Sequence, residues 1–368
     1  MADAESPEAW RRPSISDVAV TAGVSRAAVS KVIRNAYGVS PEMRTRVSQA
    51  IDELHYRPRV AARAMRGASL TIGFEIPHLG NDVFTQFMTG AANRLAGSDY
   101  QLIIAPRLAH VSGTSVLESL ADRQVDGIIA VAPEVEDSWI ERLAAQVPMV
   151  LLARHDQPRH YDVVTVDDAA GADLVMDHLL ALGHRRIAHL TIPSDVPRKP
   201  HAPRLATYRR RMAEVGAVPE VVFTDSEQGA YEAARGLLQA DRPPTAIFAG
   251  HDVLALEVLR AVADLGRDEH DVSVVGFDDV DLARHPRISL TTVHAPSVEM
   301  GALAVDLLLE RIRDGRRTPK EHQFTPELRV RRSSHPVGPG AGLLDEQPAA
   351  DPTRSPEAQA AAGATVRS

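Results

Sequence analysis

The chain has no cysteine among its 368 residues, few aromatics and no long apolar run. Without cysteine there is no disulfide scaffold, no thiolate zinc site, no iron–sulfur cluster and no cysteine nucleophile. Aromatic residues number seven Phe, six Tyr and two Trp. No apolar stretch approaches the ~18 residues that a membrane span needs. The acidic opening, MADAESPEAWRRPS, lacks the apolar core of a signal peptide. A cytoplasmic protein with no membrane partner is expected. The phosphate loop G-x-x-x-x-G-K-[ST], the dinucleotide fingerprint G-x-G-x-x-G and the nucleophile elbow G-x-S-x-G are missing too. The expectation is therefore a protein that is not an enzyme and carries no cofactor. Fifteen histidines leave a His/carboxylate metal site formally open. His184 and His189, five residues apart at the start of an apolar run, match no zinc spacing, so no metal is expected.

What is present is unevenly placed. The formal net charge is −8, which by itself argues against a nucleic-acid partner. Residues 11–67, however, hold eleven Lys/Arg against four Asp/Glu, a net of +7, and the chain beyond carries −12. A compact basic head on an acidic body is a better sign of phosphate contact than the whole-chain charge.

Composition divides the chain into a polar leader (1–12), a short helical head (13–56), a basic segment (57–68), a long body (69–335) and a tail (336–368). The tail is rich in Pro, Gly and Ala without apolar period, and reads as disordered. In the body, apolar runs at 71–76, 101–105, 127–131, 149–153, 163–166, 186–190, 221–223, 246–249 and 272–277 alternate with stretches of helical spacing. Such repeats give an α/β fold with parallel sheets covered by helices on both faces. About 260 residues is long for one open sheet, so two similar lobes are expected, with a ligand held in the crevice between them.

The head reads as a helix-turn-helix. Ser14 caps a first helix, with Asp17 placed to favour its positive end. Val18, Ala19 and Ala22 face inward, Gly23 supplies a left-handed turn, and Ser25 caps a second helix whose Val29, Val32 and Ile33 point inward. Arg26, Ala27 and Lys31 face outward at the start of that second helix, the part that meets base edges in a major groove. Arg26 and Lys31 can donate to guanine, whereas Ala27 offers only apolar contact. A third helix starts at Ser40 and Pro41, with Met43, Val47, Ala50, Ile51 and Leu54 as its apolar stripe. Residues 57–67 (RPRVAARAMRG) read either as a plain linker or as a hinge helix that presses an apolar side chain between minor-groove base steps.

Head, hinge and body together resemble the LacI/GalR family of bacterial transcription regulators over residues 14–335. The most specific motifs are Ser16-Asp-Val-Ala, Ala22-Gly-Val-Ser, Val29-Ser-Lys-Val-Ile, Val39-Ser-Pro-Glu with Arg44, Tyr56-Arg-Pro, Leu182-Gly-His-Arg-Arg-Ile-Ala and Val275-Gly-Phe-Asp-Asp. The resemblance implies an all-α head and hinge followed by a two-lobed effector domain similar to periplasmic sugar-binding proteins. It implies a repressor that binds a near-palindromic, double-stranded operator as a homodimer, switched by a small molecule, a sugar or sugar derivative. Activation, or response to a nucleoside or organic acid, is the alternative within the family. By resemblance the DNA contacts are Ser25, Arg26, Ala27, Ala28, Ser30, Lys31, Arg34, Ser40, Arg44, Arg59, Arg63 and Met65. Met65 stands where the family places an intercalating leucine and keeps its apolar, adaptable character. Ala28 and Met43 each replace a residue able to bond a phosphate.

The effector contacts implied are Asn81, Phe84, Arg204, Asp225, His251 and Asp278. Arginine and aspartate suit paired hydroxyls or a carboxylate, and an aromatic ring covers an apolar face. His251 replaces the family's usual Asn, Asp225 a stacking aromatic, Ala153 a frequent acid and Ala295 a frequent Gln. The basic run Tyr208-Arg-Arg-Arg211 reads as the solvated face of a helix with no ligand role. The tail lacks leucine heptads, so a dimer rather than a tetramer is expected.

Overall fold

The computed structural model describes residues 13–34, 36–57, 69–107, 113–193, 198–224, 226–267 and 270–337. The leader, the hinge with Arg59, Arg63 and Met65, Asp225 and the tail beyond residue 337 lie outside the described residues.

The head folds as three short helices, α1 (Ile15–Thr21), α2 (Arg26–Ile33) and α3 (Pro41–Glu53). Each starts where a serine can cap it. Ser14 and Asp17 form a reciprocal capping box, Ser25 accepts from the Ala28 amide, and Ser40 from the Met43 amide. Gly23 takes the left-handed conformation (φ +64°) that reverses the chain between α1 and α2. Val18, Val29 and Val47, one from each helix, are fully buried and join the three in a small core.

The body is two α/β lobes of the same topology. The first contains β1 (Thr71–Ile76), β2 (Gln101–Pro106), β3 (Gly127–Val131), β4 (Met149–Leu152), β5 (Asp162–Val166) and β11 (Glu321–Phe324). Its sheet order is β2-β1-β3-β4-β5-β11, parallel throughout. The second contains β6 (Ile187–Thr191), β7 (Glu220–Phe223), β8 (Ala246–Ala249), β9 (Ser273–Asp278), β10 (Thr291–His294) and β12 (Glu327–Arg329). Its order is β7-β6-β8-β9-β10-β12, with only β12 antiparallel. The nine apolar runs correspond to β1–β9. The three late strands carry little apolar signal.

Alternation along each strand divides its side chains between two helical layers. In β3, Ile129 and Val131 pack with α4 (Asp82–Leu95) and α11 (Ser297–Asp314), while Ile128 and Ala130 pack with α5 (Gly113–Asp122) and α6 (Asp137–Ala144). In β8, Phe248 joins α7 (Asp168–Ala181) and α8 (His201–Glu214), and Ile247 joins α9 (Glu227–Gln239) and α10 (Asp252–Asp264). Helices α4 and α11 touch backbone to backbone. A Cβ on Gly90 would lie 1.8 Å from the Val298 carbonyl oxygen, so only glycine fits there.

The chain passes between lobes three times, after β5, after β10 and after β11. These crossings join the lobes on the β11/β12 side and leave β2 and β7 as the far edges. Tyr208 corrects one expectation, since its ring is fully buried and its hydroxyl donates to the Ile187 carbonyl. It faces inward one position before the exposed Arg209 and Arg210. Among the described residues no helix is long and apolar enough to cross a membrane.

Candidate functional site

Two places carry chemistry. The first is the start of α2. Arg26, Ala27 and Lys31 are exposed, and neither Arg26 nor Lys31 forms an ion pair among the described residues. Ser25 and Ser40 are exposed but their hydroxyl oxygens already accept cap bonds, at 3.1 and 3.2 Å. Ala28, Ser30 and Arg44 are half-buried, and the exposed Arg34 donates through Nε to the Ser30 carbonyl at 3.0 Å. Tyr37, between α2 and α3, is wholly exposed, and the sequence reading did not single it out.

The second place is a cavity of about 490 Å³ between the lobes, at the carboxyl ends of the strands. It brings together Asn81, Phe84, Arg204, His251 and Asp278, five of the six expected effector contacts. Ala153 and Ala295 line it as well. Three non-glycine residues at strand ends around it, Ala132, Ala153 and Asp278, hold positive φ angles of 40°, 54° and 108°. Strain of this kind collects where a backbone is fixed for binding.

Its floor is a buried charge cluster. Arg204, on α8, donates to Asp168 at 2.7 Å and to the Gly250 carbonyl at 2.5 Å, and lies 3.7 Å from Asp278. Its guanidinium stacks 3.4 Å from the Phe277 ring centroid. Gly171 leaves room for that ring, since a Cβ would sit 2.6 Å from its edge. Asp168 bonds His155 of the other lobe at 2.7 Å with its second oxygen. Asn81 caps α4 by accepting from the Val83 amide at 3.0 Å, and its side chain also bonds Asp278. Burial pushes the Asp278 carboxyl up to about 7, despite the opposing pull of Arg204, with Asp168 adding to the rise. Burial and Arg204 push the His251 imidazole down to about 3, so it is neutral. His251 precedes α10 as its cap residue but makes no side-chain cap bond, and its buried Nδ1 meets no partner.

Sequence reasoning missed much of the lining. Asp168, His78 and His201 belong to it, as do Arg107, Glu134 and Lys199. Asp168 stands two residues after β5, where strand-end reasoning could have found it. Lys199 pairs with Glu134 across the cleft, and Arg198 with Asp137 at 2.7 Å. No local pattern in the sequence announces these pairs. Among the described residues no group of three or more His, Asp or Glu could hold a metal ion.

Comparison with known proteins adds a third line. Residues 14–59 match the family described as bacterial regulatory proteins, lacI family, and residues 176–334 the periplasmic binding protein-like domain. The ribose operon repressor of Escherichia coli K12 is 32% identical over 335 residues, covering 87% of this chain and 99% of its own. The HTH-type transcriptional repressor PurR of Edwardsiella ictaluri is 32% identical over 330 residues, covering 87% and 96%. Among solved structures, the lac repressor dimer bound to operator and the anti-inducer ONPF is similar at a TM-score of 0.73 and 26% identity, covering 88% of this chain and all of that one. The CelR–cellobiose complex is similar at a TM-score of 0.64 and 27% identity, again over 88% of this chain.

Proposed function

The chain belongs to the lacI family of bacterial regulatory proteins, and on that premise we propose how its parts act together. It is a DNA-binding repressor whose hold on an operator is switched by a small molecule bound between the lobes. The head (13–56) presents Arg26, Ala27 and Lys31 to base edges, Ser25, Ser30, Arg34, Ser40 and Arg44 follow the phosphate backbone, and Ala28 adds only apolar contact with the DNA. The segment 57–68, with Arg59, Arg63 and Met65, is the hinge that docks in the minor groove. Residues 69–335 sense the effector through Asn81, Phe84, Arg204, His251 and Asp278, with Asp225 a further contact. The effector is a sugar or sugar derivative. Two relatives favour that class by name, the ribose operon repressor and the cellobiose-bound CelR. In this reading the parts bind and switch rather than catalyse.

The observation that carries this reading is the cavity itself, lined from both lobes by the residues expected to hold an effector. Groups on the two lobes already meet across it, as His155 with Asp168 and Lys199 with Glu134. A ligand seated there changes the balance of these contacts and the angle between the lobes. A difference of a few kcal/mol in affinity between two lobe arrangements is enough to switch DNA binding.

A homodimer is part of the reading, because one head reads few bases. The edge strands β2 and β7, each at the end of its sheet opposite β11 or β12, expose Ile103, Ile104 and Phe223. An apolar edge left in solvent invites pairing, and a second copy of this chain covers it. Footprinting of the full-length protein on the promoter of its own gene tests the whole reading. Protection of two symmetric half-sites, spaced ~34–36 Å or a multiple apart, is expected. Protection of a single asymmetric half-site overturns it.

A further inference from the structure

The walls of the cavity carry ring pairs from both lobes. On the first lobe, His78 and Phe84 meet edge to face with centroids 5.1 Å apart. On the second, His201 and His251 meet at 5.7 Å, their planes inclined by 64°. All four line the cavity. Burial, together with the positive charge of Arg204, holds His201 and His251 in the neutral form. They therefore present flat, uncharged π faces rather than cations.

The hydrogen-bonding groups are placed differently. Asn81, Asp278 and Arg204 form one cluster, linked by the Asn81–Asp278 bond and the 3.7 Å approach of Arg204 to Asp278. Much of the remaining lining is aliphatic or aromatic, including Phe87, Val131, Ile192 and Met300, while its other charged groups, Asp168, Glu134, Lys199 and Arg107, are already engaged with one another or with Arg204 and His155. A saturated sugar carries hydroxyls around its whole ring. Bound alone, it would press some of them against this apolar lining without partners, at a cost for each. Size points the same way. A cavity of about 490 Å³ lies within the roughly 300–1,000 Å³ of pockets that take drug-sized ligands, room for more than a lone pentose.

We propose that the effector is a nucleoside-like molecule. Its flat heteroaromatic ring is taken between the His78/Phe84 and His201/His251 pairs, and its hydroxylated sugar is held by Asn81, Arg204 and Asp278. The proposal rests on the reading of this cavity as the effector site and narrows its sugar derivative to a nucleoside, an N-glycoside in which a flat base replaces one hydroxyl of the sugar. It makes His251 a specificity-determining residue. A neutral imidazole there offers a ring face that an amide side chain lacks.

Calorimetric titration of the full-length protein with ribose, a free purine base, a purine nucleoside, a pyrimidine nucleoside and cellobiose tests it. A nucleoside is expected to bind at least tenfold more tightly than ribose, the free base or cellobiose. Phe84→Leu and His251→Asn should each weaken the nucleoside by about tenfold, the scale of one base–aromatic stack, and weaken any ribose binding by clearly less. Equal loss for both ligands would mean that the variants disturb the fold rather than the stack, and overturns the assignment of these rings. Preference for ribose or cellobiose, or no binding by either nucleoside, overturns the proposal. Operator binding measured on the same samples separates the two readings. A disaccharide that shifts operator affinity leaves the regulator standing and removes the nucleoside. A nucleoside that binds without shifting operator affinity does the reverse.

Discussion

Arg26 and Lys31 of the head stand in solvent without a carboxylate partner among the described residues. Arg154, Arg204 and Arg311 of the body have side chains 1%, 5% and 3% exposed, and each is bonded to an aspartate. Arg311 shares its partner, the wholly buried Asp162, with Arg316. Burial raises the Asp162 carboxyl, but bonds from Arg316 and Arg311 more than offset this and keep it below its ordinary range. The same cation thus has two uses. At Arg26 and Lys31 it is left without a carboxylate, so contact with DNA there breaks no ion pair and releases counterions. In the body it is a structural element, and a ligand in the cleft meets charges that are already balanced. The difference teaches where to look for each effect of a mutation, in recognition for the head and in stability for the body.

The sharpest test of that contrast is Arg204→Met. It leaves Asp168 and Asp278 buried without their shared cation, and loss of one partner from a buried pair typically costs about 3–5 kcal/mol. Urea denaturation should show a loss of that size. Adding Asp168→Asn should recover part of it by removing an uncompensated charge. If Arg204→Met unfolds no more easily than the parent, the buried arginines are not structural and the contrast fails.

Glu75 sharpens it from the acid side. This residue of β1 is wholly buried, and no cation or side-chain donor bonds its carboxylate among the described residues. Burial raises its carboxyl from 4.5 to about 7, with Arg107 opposing the rise. The folded chain therefore holds a proton that the unfolded chain has released between these values. The stability gained from that proton is fully present below 4.5 and is lost as pH rises through about 7. In Glu75→Gln this loss is absent. Thermal denaturation of both proteins between about pH 5 and pH 8 should show the variant gaining on the parent as pH rises, by up to about 3 kcal/mol. A difference that stays constant with pH would mean that Glu75 is ionised throughout.

Much of this was legible in the sequence because local rules act alone there. Ser14, Ser25 and Ser40 cap their helices, and Gly23 turns the chain, for reasons contained within four residues. Seven of the first nine strands announce themselves through apolar runs buried on both faces, and the edge strands β2 and β7 through apolar runs that stay partly exposed. Strands β10, β11 and β12 do not, because TTVH, EHQF and ELR are short and polar, and only pairing with β9, β5 and β10 makes them strands. The cavity follows the same division. Asn81, Arg204 and Asp278 sit in motifs, so resemblance could place them. Asp168, His201 and Lys199 become part of the site only when two lobes meet, a long-range event with no local pattern. Tyr208 was misread for a related reason. Three following arginines dominate the composition of its neighbourhood, while helical rotation turns its ring inward.

The smallest effect on stability, and the most selective on recognition, belongs to Arg26→Ala. An exposed side chain without a partner should change stability by no more than about 0.5 kcal/mol, against the several expected at Arg204. Its effect lies in DNA. A bidentate contact to guanine contributes about 1–3 kcal/mol of discrimination at one base pair, so the variant should bind its operator more weakly and tolerate substitution at that pair alone. A phosphate contact behaves otherwise. It weakens every sequence alike and lowers the slope of log affinity against log salt by about one. Binding to the operator and to a variant operator across a salt series therefore separates the two roles. A uniform loss with a shallower slope would move Arg26 from reading bases to holding the backbone, and base reading in the head would then rest on Lys31 and Ala27.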